Sequence, residues 1–218
     1  MSRILILYGG WQGHNPSQMT EFLIENFLQN HDIIKSDKLS CINPELLKDI
    51  DLLIPIWTYG ELTQSQEITL DEAIRNGMGI IALHGLASAF QSSRLFKFII
   101  GGQFVAHPDG SDSCYEVYFT KDDPIVKDLK NFTIKTEQYY LLVDPAVHVL
   151  ATTIFKDKSM DWINNVTMPV SWKRKWDKGN VFYCSLGHTT NELTNPAIKL
   201  LLERAIKWAI KKPEHEKA

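Results

Sequence analysis

The first half of the chain alternates continuous apolar runs with segments of helical periodicity. The apolar runs lie at 3–8, 52–57 and 79–83, and a short strand is also predicted over 32–37. Runs of this length are typical of strands that are buried on both faces of a parallel sheet. Between them, Asn15 as an N-cap and Pro16 as the first helical residue predict one helix, and apolar residues at helical spacing predict another over 64–76. The pattern therefore indicates consecutive βα units.

The second half is less regular and indicates a more antiparallel arrangement. A short helix is predicted over 95–100, and strands are predicted near 115–119, 134–143, 147–155, 168–172 and 181–185. The last two strands are joined by the turn Asp177-Lys178-Gly179-Asn180. Asn195 caps a closing helix, which Pro196 begins and which reaches about residue 210.

Together these elements predict one α/β domain over residues 1–212, followed by a polar tail at 213–218. The expected fold is a flavodoxin-like sheet with helices on both faces and an added β section. In such a sheet, ligands bind outside the carboxyl ends of the parallel strands. The residues that directly follow each predicted strand are therefore the candidates for function.

Composition narrows the class of protein without deciding its function. The 218 residues are 44% hydrophobic and 22% charged, with a net charge of −3, which is typical of a globular protein and gives no bulk charge for binding nucleic acid or an anionic membrane. No apolar run reaches the roughly 18 residues of a membrane span. The three cysteines, Cys41, Cys114 and Cys184, are widely spaced and odd in number, which excludes a disulfide framework and a Cys-based zinc finger. The expected compartment is the cytoplasm.

Four of the seven histidines lie beside glycines at predicted strand ends or in loops, and these are His14, His84, His107 and His188. Neutral imidazole binds divalent metals and exchanges protons near neutral pH. If the four converge, they predict a divalent metal site, with zinc as the first expectation and no organic cofactor. The alternative is that each histidine is an ordinary hydrogen-bonding group.

Glu137 interrupts an otherwise apolar strand pattern. A buried carboxylate is unfavourable unless it is paired, so it requires a partner such as arginine, histidine or a metal. The alternative is an exposed residue on the outer face of the strand.

Six aromatic residues lie near the same strand ends and are candidates for stacking on a sugar ring: Trp11, Trp57, Tyr59, Phe104, Tyr139 and Trp172. The alternative is that each belongs to the core, as aromatic residues in a domain of this size commonly do.

Seven ordered segments resemble the trehalose-utilisation (ThuA-like) family. They are GGWQGH at 9–14, GIIALHG at 79–85, GGQFVAHP at 101–108, DPI at 123–125, TEQY at 136–139, PVSW at 169–172 and GNVFYCSLGHT at 179–189. They occur in the family's order and cover nearly the whole chain. The resemblance implies a class I glutamine amidotransferase-like fold and a role in the catabolism of trehalose and other glycosides through 3-keto sugars. The family commonly has Asp-Glu before the tyrosine where this chain has Thr136-Glu137, which leaves position 136 without the family's charge.

The resemblance also predicts what the chain lacks. Amidotransferases of this superfamily place a nucleophilic cysteine on a strained turn after a strand, with a later histidine as its base. Here the corresponding strand end is Leu83-His84-Gly85-Leu86, which holds no cysteine, whereas His188 matches the later histidine. Cys184 lies within an apolar strand and is predicted to be core. Glutaminase activity is therefore not expected.

Two main hypotheses follow. The first is an enzyme acting on a sugar or keto-glycoside, in which His188, Glu137 and His84 are catalytic and His14, His84, His107 and His188 supply metal ligands. The second is a non-catalytic sugar-binding or regulatory module on a degenerate amidotransferase scaffold. A third, simpler possibility is a subunit whose aromatic loops form a homo-oligomer contact. Glu61 is the only other carboxylate that we pair with Glu137 as a candidate for glycosidase chemistry.

Overall fold

A computed structural model describes residues 1–156 and 160–210 of the chain. Its strands are Arg3–Gly10 (β1), Asp32–Ser36 (β2), Leu52–Thr58 (β3), Gly79–Leu83 (β4), Gly102–Ala106 (β5), Ser113–Phe119 (β6), Phe132–Thr136 (β7), Tyr140–Val143 (β8), His148–Ile154 (β9), Thr167–Trp176 (β10) and Gly179–Cys184 (β11). Its α-helices are Pro16–Phe27 (α1), Pro44–Leu47 (α2), Gln64–Arg75 (α3), Arg94–Ile100 (α4) and Pro196–Ala209 (α5). The tail predicted at 213–218 lies outside the described residues.

Nine strands form one mixed sheet in the order β2-β1-β3-β4-β11-β10-β9-β6-β7. The strands from β2 to β11 are parallel to their neighbours, and those from β11 to β7 pair antiparallel. The parallel half has the flavodoxin-like order, in which the chain leaves β1 towards β2 and then returns to β3 on the other side. The prediction of a flavodoxin-like sheet with an added β section is confirmed. The remaining strands, β5 and β8, form a separate antiparallel pair.

Alternate side chains of the central strands pack in two separate hydrophobic cores, one on each face of the sheet. On β1, Ile4 and Ile6 belong to one buried cluster, whereas Leu5 and Leu7 belong to the other, because successive side chains of a strand point to opposite faces. Helices α1 and α5 cover the first face, and α3 and α4 cover the second. Helices on both faces were predicted. None of the helices in the described part of the chain has both the length and the apolar character needed to cross a bilayer.

One predicted strand is in fact two strands of different sheets. The segment predicted as a strand over 134–143 divides into β7, which pairs with β6, and β8, which pairs with β5. Residues 137–139 form the break between them and have no regular secondary structure. Strand β5 and the short helix α2 were not predicted. The polar residues Glu137 and Gln138 fall at the break, but only the pairing partners show that one strand ends there and another begins.

The start of α1 and its N-cap position were predicted correctly, but the side chain at the N-cap makes no capping bond. Pro16 is the first helical residue, whereas Asn15 has a left-handed backbone with φ 46° and makes no side-chain capping bond. Its N–H instead donates to the carbonyl oxygen of Gln12 at 2.9 Å and closes the 3-10 turn Gln12–His14. This turn brings His14 back over the sheet edge before the helix begins. At the other end of the chain, the predicted cap is confirmed, because Asn195 Oδ1 accepts from the N–H of Ala197 at 2.9 Å.

Candidate functional site

The carboxyl ends of β1, β3, β4 and β11 meet at one edge of the sheet. The turn Gln12–His14 follows β1, and its position is fixed because the N–H of Trp11 donates to the carbonyl oxygen of Thr58 at the end of β3. His84 directly follows β4, and His188 lies four residues after β11. Three of the four predicted histidines therefore converge as the parallel topology requires.

His84 occupies the strained turn that follows β4. Its backbone φ is +39°, in the left-handed region that bulky residues rarely adopt, and it begins the 3-10 helix His84–Ser88. A Cβ atom added to Gly85 would overlap the hydroxyl of Thr58 and lie 2.6 Å from Nδ1 of His14. The glycine therefore allows the turn to approach both residues. A strained turn of this kind is where the amidotransferase comparison places its nucleophile.

Hydrogen bonds determine the orientation of the His84 ring. Nδ1 lies 2.8 Å from the carbonyl oxygen of Ser185, and because a carbonyl only accepts, Nδ1 carries the proton. Nε2 then faces the hydroxyl of Tyr139 at 2.8 Å and Oε2 of Glu137 at 3.2 Å. The hydroxyl of Tyr183 donates to the backbone oxygen of His84 at 3.0 Å and supports the turn from below. His84 therefore directs its second nitrogen towards Glu137.

Glu137 lies at the centre of the histidines. Its Oε2 is 3.2 Å from Nε2 of His84 and 3.2 Å from Nδ1 of His188, and its Oε1 is 3.9 Å from Nε2 of His107. The ring of His14 lies against those of His84 and His188, with centroid separations of 4.8 and 5.2 Å. Glu137 is 8% exposed, so the hypothesis that it is an exposed strand residue is wrong and the hypothesis that it is a paired carboxylate is correct.

The pKa values of the clustered residues are shifted in different directions. Burial lowers the pKa of His14 to about 4, and the neighbouring His84 and His188 add to this effect. The contact with the Glu137 carboxylate raises the pKa of His188 above its ordinary value, against the opposing effect of burial. Burial opposes ionisation of Glu137 itself, but the contacts with His188 and His84 outweigh it and hold its pKa well below the usual range. Near neutral pH, Glu137 is ionised and His14 is neutral.

Four of these side chains have the composition and spacing of a metal-binding set. One ligand atom each from His14, His84, Glu137 and His188 lies within 4.8 Å of the others. Imidazole and carboxylate ligands suit Zn²⁺, Mn²⁺ and Fe²⁺. Nδ1 of His188 is buried without an aligned hydrogen-bond partner among the described residues, and a metal ion would use such a nitrogen. The hydroxyl of Thr58, 2.8 Å from Nδ1 of His14, orients that ring in the way that outer partners orient metal-binding histidines.

His107 differs from the other three histidines. It contacts the second oxygen of Glu137 only at 3.9 Å, its side chain is 41% exposed, and it is outside the compact group of four. The structure therefore places His107 at the opening of the site, where it is suited to contact a ligand.

Comparison with known proteins decides the family. The sequence matches the family model for ThuA, described as trehalose utilisation, over residues 3–209. The chain belongs to the ThuA family. No curated protein is similar enough to this sequence to count as a match.

Solved structures support the same fold for this ThuA-family chain. A ThuA-like protein from Bacteroides uniformis is 20% identical with a TM-score of 0.74, and the match covers 94% of this chain and 89% of that one. A ThuA-like protein from Parabacteroides merdae is 16% identical with a TM-score of 0.76, covering 97% and 92%. A cytoplasmic protein from Salmonella typhimurium LT2 is 12% identical with a TM-score of 0.67, covering 96% and 100%.

The predicted aromatic residues fall into three groups in this ThuA-family protein. Trp11 and Tyr59 are 48% and 54% exposed, with ring centroids 6.2 Å apart, and they form one rim of the site beside His14. Phe104 packs edge-on against Tyr139 at 4.6 Å and lies 5.9 Å from the ring of His107, on the other side. Tyr139 is 4% exposed and reaches the cluster through its hydroxyl.

Two tryptophans are less accessible. Trp57 is partly buried and stacks against Phe90, with ring centroids 6.3 Å apart. Trp172 is 0% exposed, its indole N–H donates to the carbonyl oxygen of Ile100, and its ring stacks on Tyr183. A ring without exposed surface cannot stack on a sugar, so the expectation that Trp172 binds substrate is wrong. It is a core residue.

Cys184 has the character of a core residue, as predicted. It is 1% exposed, and burial raises the pKa of its thiol to about 12. A thiol with such a pKa is protonated near neutral pH and is a poor nucleophile. Neither it nor the turn at His84 supplies the thiolate that glutamine hydrolysis requires.

Glu192 supports the site and was not predicted from the sequence. Its carboxylate is buried and accepts from the backbone N–H groups of Gly187, His188 and Thr189 at 2.9, 3.3 and 3.3 Å. It also accepts from the hydroxyl of Thr136 at 2.8 Å. It therefore ties the loop that carries His188 to the residue that precedes Glu137. In the sequence Glu192 lies in a polar segment and has no feature that indicates burial.

We expect Glu192→Gln to lower the free energy of unfolding by about 1–3 kcal/mol. The carboxylate accepts hydrogen bonds from backbone N–H groups with both of its oxygens, whereas the amide would place an N–H donor of its own against some of them. The measurement is denaturant unfolding near neutral pH. Glu25→Gln, at an exposed position of α1, is the control and should change the free energy by less than about 0.5 kcal/mol. Equal stability of the two variants would contradict the role assigned to Glu192.

Proposed function

We propose that the chain is an enzyme that acts on a keto-glycoside or related sugar by histidine and glutamate acid–base or metal-assisted chemistry, without glutaminase activity. The observation that carries the proposal is the convergence of His14, His84, Glu137 and His188, whose ligand atoms lie within 4.8 Å of one another. Burying an ionised carboxylate among three imidazoles has a free-energy cost, and such groupings are concentrated at functional sites.

His14, His84, His188 and Glu137 would hold a divalent cation, with Zn²⁺ as the first candidate. When bound, the cation would supply a Lewis acid that polarises a sugar carbonyl. Thr58 and the carbonyl of Ser185 hold the rings of His14 and His84, and His107 stands at the opening. These contacts are the reason why the histidines would keep their orientation as a ligand enters.

Protonation separates the roles of the catalytic residues. In the metal-free acid–base alternative, the raised pKa of His188 suits it to hold and deliver a proton near neutral pH, whereas with a cation bound the same ring would act as a ligand. The depressed pKa of Glu137 makes its carboxylate a weak base, so we assign it to binding the cation and orienting His84 and His188 rather than to proton abstraction. His14, neutral near pH 7, is suited to act as a ligand.

The exposed rim supplies the surface for the sugar. Trp11 and Tyr59 lie on one side, and Phe104 and His107 on the other. Flat rings pack against the apolar face of a sugar, and polar groups at the centre bind its hydroxyls and carbonyl. A cytoplasmic location is proposed on the description of the Salmonella neighbour.

The test begins with elemental analysis of the purified, untagged full chain for first-row transition metals. We expect about one equivalent of zinc, manganese or iron per chain. His188→Ala should lose the metal and the turnover of keto-glycosides while its near-ultraviolet circular dichroism stays unchanged. His148→Ala, which replaces a histidine outside the cluster, is the control and should keep both.

Each other outcome removes part of the proposal. Without metal, and without thermal stabilisation on adding any, the metal-assisted mechanism fails and an acid–base pair of His188 and Glu137 is left to test. Full turnover in His188→Ala removes the catalytic role of this residue. Sugar binding without turnover by the unmodified chain establishes the non-catalytic sugar-binding module instead.

A further inference from the structure

A second cleft lies at the opposite end of the strands from the histidine cluster. Its volume is about 600 Å³, within the range of small-molecule sites. Strand β11 begins at this cleft, near Asn180, and ends at the candidate active site. The cleft therefore has no part in the chemistry proposed above.

The floor of the cleft is one face of the β10–β11 hairpin. Lys173 and Lys175 are two residues apart on β10, so their side chains share a face. Asn180 on β11 pairs directly with Lys175 and presents its side chain to the same face. Further along β11 the same face is apolar and packs against α5. Lys173, Lys175 and Asn180 lie beyond this packed region.

The walls of the cleft are fixed by hydrogen bonds. On α5, Arg204, Lys207 and Trp208 have the spacing of one helical face. Nη1 of Arg204 donates to the carbonyl oxygens of Ile125 and Lys127 at 3.2 and 2.6 Å, which joins the helix to the opposite wall. The amide of Asn180 donates to the carbonyl oxygen of Trp208 at 2.8 Å, which joins the helix to the floor.

The cleft carries a strong positive charge on a chain whose net charge is −3. Five basic residues line it together with one aspartate: Lys127, Lys173, Lys175, Arg204 and Lys207 with Asp123. Asp123 is buried and pairs with Lys173 at 2.5 Å, and Lys173 also lies over the ring of Trp208 at 5.1 Å. Among residues 1–156 and 160–210, no carboxylate forms an ion pair with the other four.

An apolar surface beside the cations indicates more than a general attraction for anions. The ring of Trp208 is half-buried at the wall of the cleft, and its backbone oxygen accepts from the amide nitrogen of Asn180 on the floor. A flat ring beside phosphate-binding cations provides a face on which the body of an organic phosphate can pack.

We propose that this cleft binds a phosphorylated small molecule that carries hydroxyl groups, of the chemical class of a sugar phosphate. Lysine ammonium groups bind phosphate oxygens as point charges. Lys175 on the floor of the cleft and Lys207 on its wall are both exposed to solvent and can reach a phosphate. Inorganic phosphate would contact the lysines alone, so the ring of Trp208 selects for an organic phosphate.

The test is isothermal titration calorimetry of the full chain with glucose 6-phosphate, glucose and inorganic phosphate at low ionic strength. We expect glucose 6-phosphate to bind at least about tenfold more tightly than inorganic phosphate, and glucose not to bind measurably. Lys175→Ala/Lys207→Ala should weaken glucose 6-phosphate at least about tenfold. Lys178→Ala/Lys199→Ala removes the same charge from the same hairpin and helix outside the cleft, and should bind like the unmodified chain.

Three results would overturn the proposal. Equal binding of glucose 6-phosphate and inorganic phosphate would show only an electrostatic patch. Equal weakening in both double variants would show an effect of net charge alone. Binding of a short RNA, with no response to glucose 6-phosphate, would identify the cleft as a polynucleotide surface. Glu137→Gln should leave this binding unchanged, so the result is independent of the proposed catalytic site.

Discussion

Glu137→Gln is expected to reduce metal affinity by at least about 100-fold and turnover by about 10²–10⁴-fold, with the fold intact. The substitution keeps the shape of the side chain and removes the charge that lies 3.2 Å from both His84 and His188. Without the carboxylate, the cluster retains three imidazoles and no anion to balance a divalent cation. The pKa of His188, which the carboxylate raises, should return towards its ordinary value.

The measurements are a competition titration with a metal indicator and the rate on a keto-glycoside. Glu61→Gln is the matched control, because Glu61 is the other carboxylate considered for catalysis and is exposed after β3. It should change neither quantity by more than about twofold. Glu137→Asp keeps the charge on a shorter side chain and should restore part of the metal affinity. If Glu137→Gln retains both metal and turnover, Glu137 is not at the functional centre.

Metal affinity is expected to fall with acid, approaching about tenfold per pH unit once the pH is below the raised pKa of His188, and to level off above that pKa. The direction follows from competition between the proton and the cation for the same nitrogen. Because the pKa of His188 is raised, its ring holds a proton at pH values where a free imidazole is largely neutral. That proton must leave before the nitrogen binds a metal, so acid weakens binding. His14, whose pKa is lowered to about 4, adds nothing to the slope until the pH approaches that value.

The check is the same indicator titration, repeated at several pH values in a metal-free buffer. His188→Gln binds more weakly at every pH, but its dependence on pH should be shallower by one proton, because the titrating ring is gone. Equal slopes in the two proteins would show that His188 does not exchange its proton for the metal. Affinity that rises with acid would contradict the assigned electrostatics altogether.

The difference between the two ends of the sheet bears on how the protein works. At the carboxyl ends, contacts with Thr58 and Ser185 orient the rings of His14 and His84, and Glu192 holds the backbone of the loop that carries His188. At the opposite end, exposed lysines lie around the half-buried ring of Trp208. The first arrangement suits chemistry, because orientation is already established. The second suits reversible binding, because flexible cations adapt to a phosphate.

Local patterns in the sequence were sufficient for most of the fold. Strand β4 is recognised by its continuous apolar run, because a strand buried on both faces requires apolar residues at every position. Helix α5 is recognised by its cap and by apolar residues at helical spacing, because only one face of the helix is buried. The parallel order of these units in turn predicts that residues after β4 and β11 meet. The amino-acid pattern alone therefore places His84 and His188 at the same edge of the sheet.

The failures have a common physical cause. The break at residues 137–139 depends on which strands β7 and β8 pair with, and pairing partners lie far away in sequence. Trp172 was placed at the substrate site because it lies near a strand end, but its face of β10 is turned towards the core. Asn15 has the residue type of a helix cap, yet the preceding turn determines its backbone.

The sequence by itself determined the order of the parallel βα units, the ThuA family and the convergence of three of the four candidate histidines, because these depend on local periodicity and on motifs in a fixed order. The tertiary structure alone decided that Glu137 lies among them, that Glu192 holds their loop and that Asn180 faces a basic cleft. Each of these depends on burial and on contacts across many residues. Burial is a property of the packed molecule, so a carboxylate that is solvated and one that is enclosed by histidines are identical in the sequence.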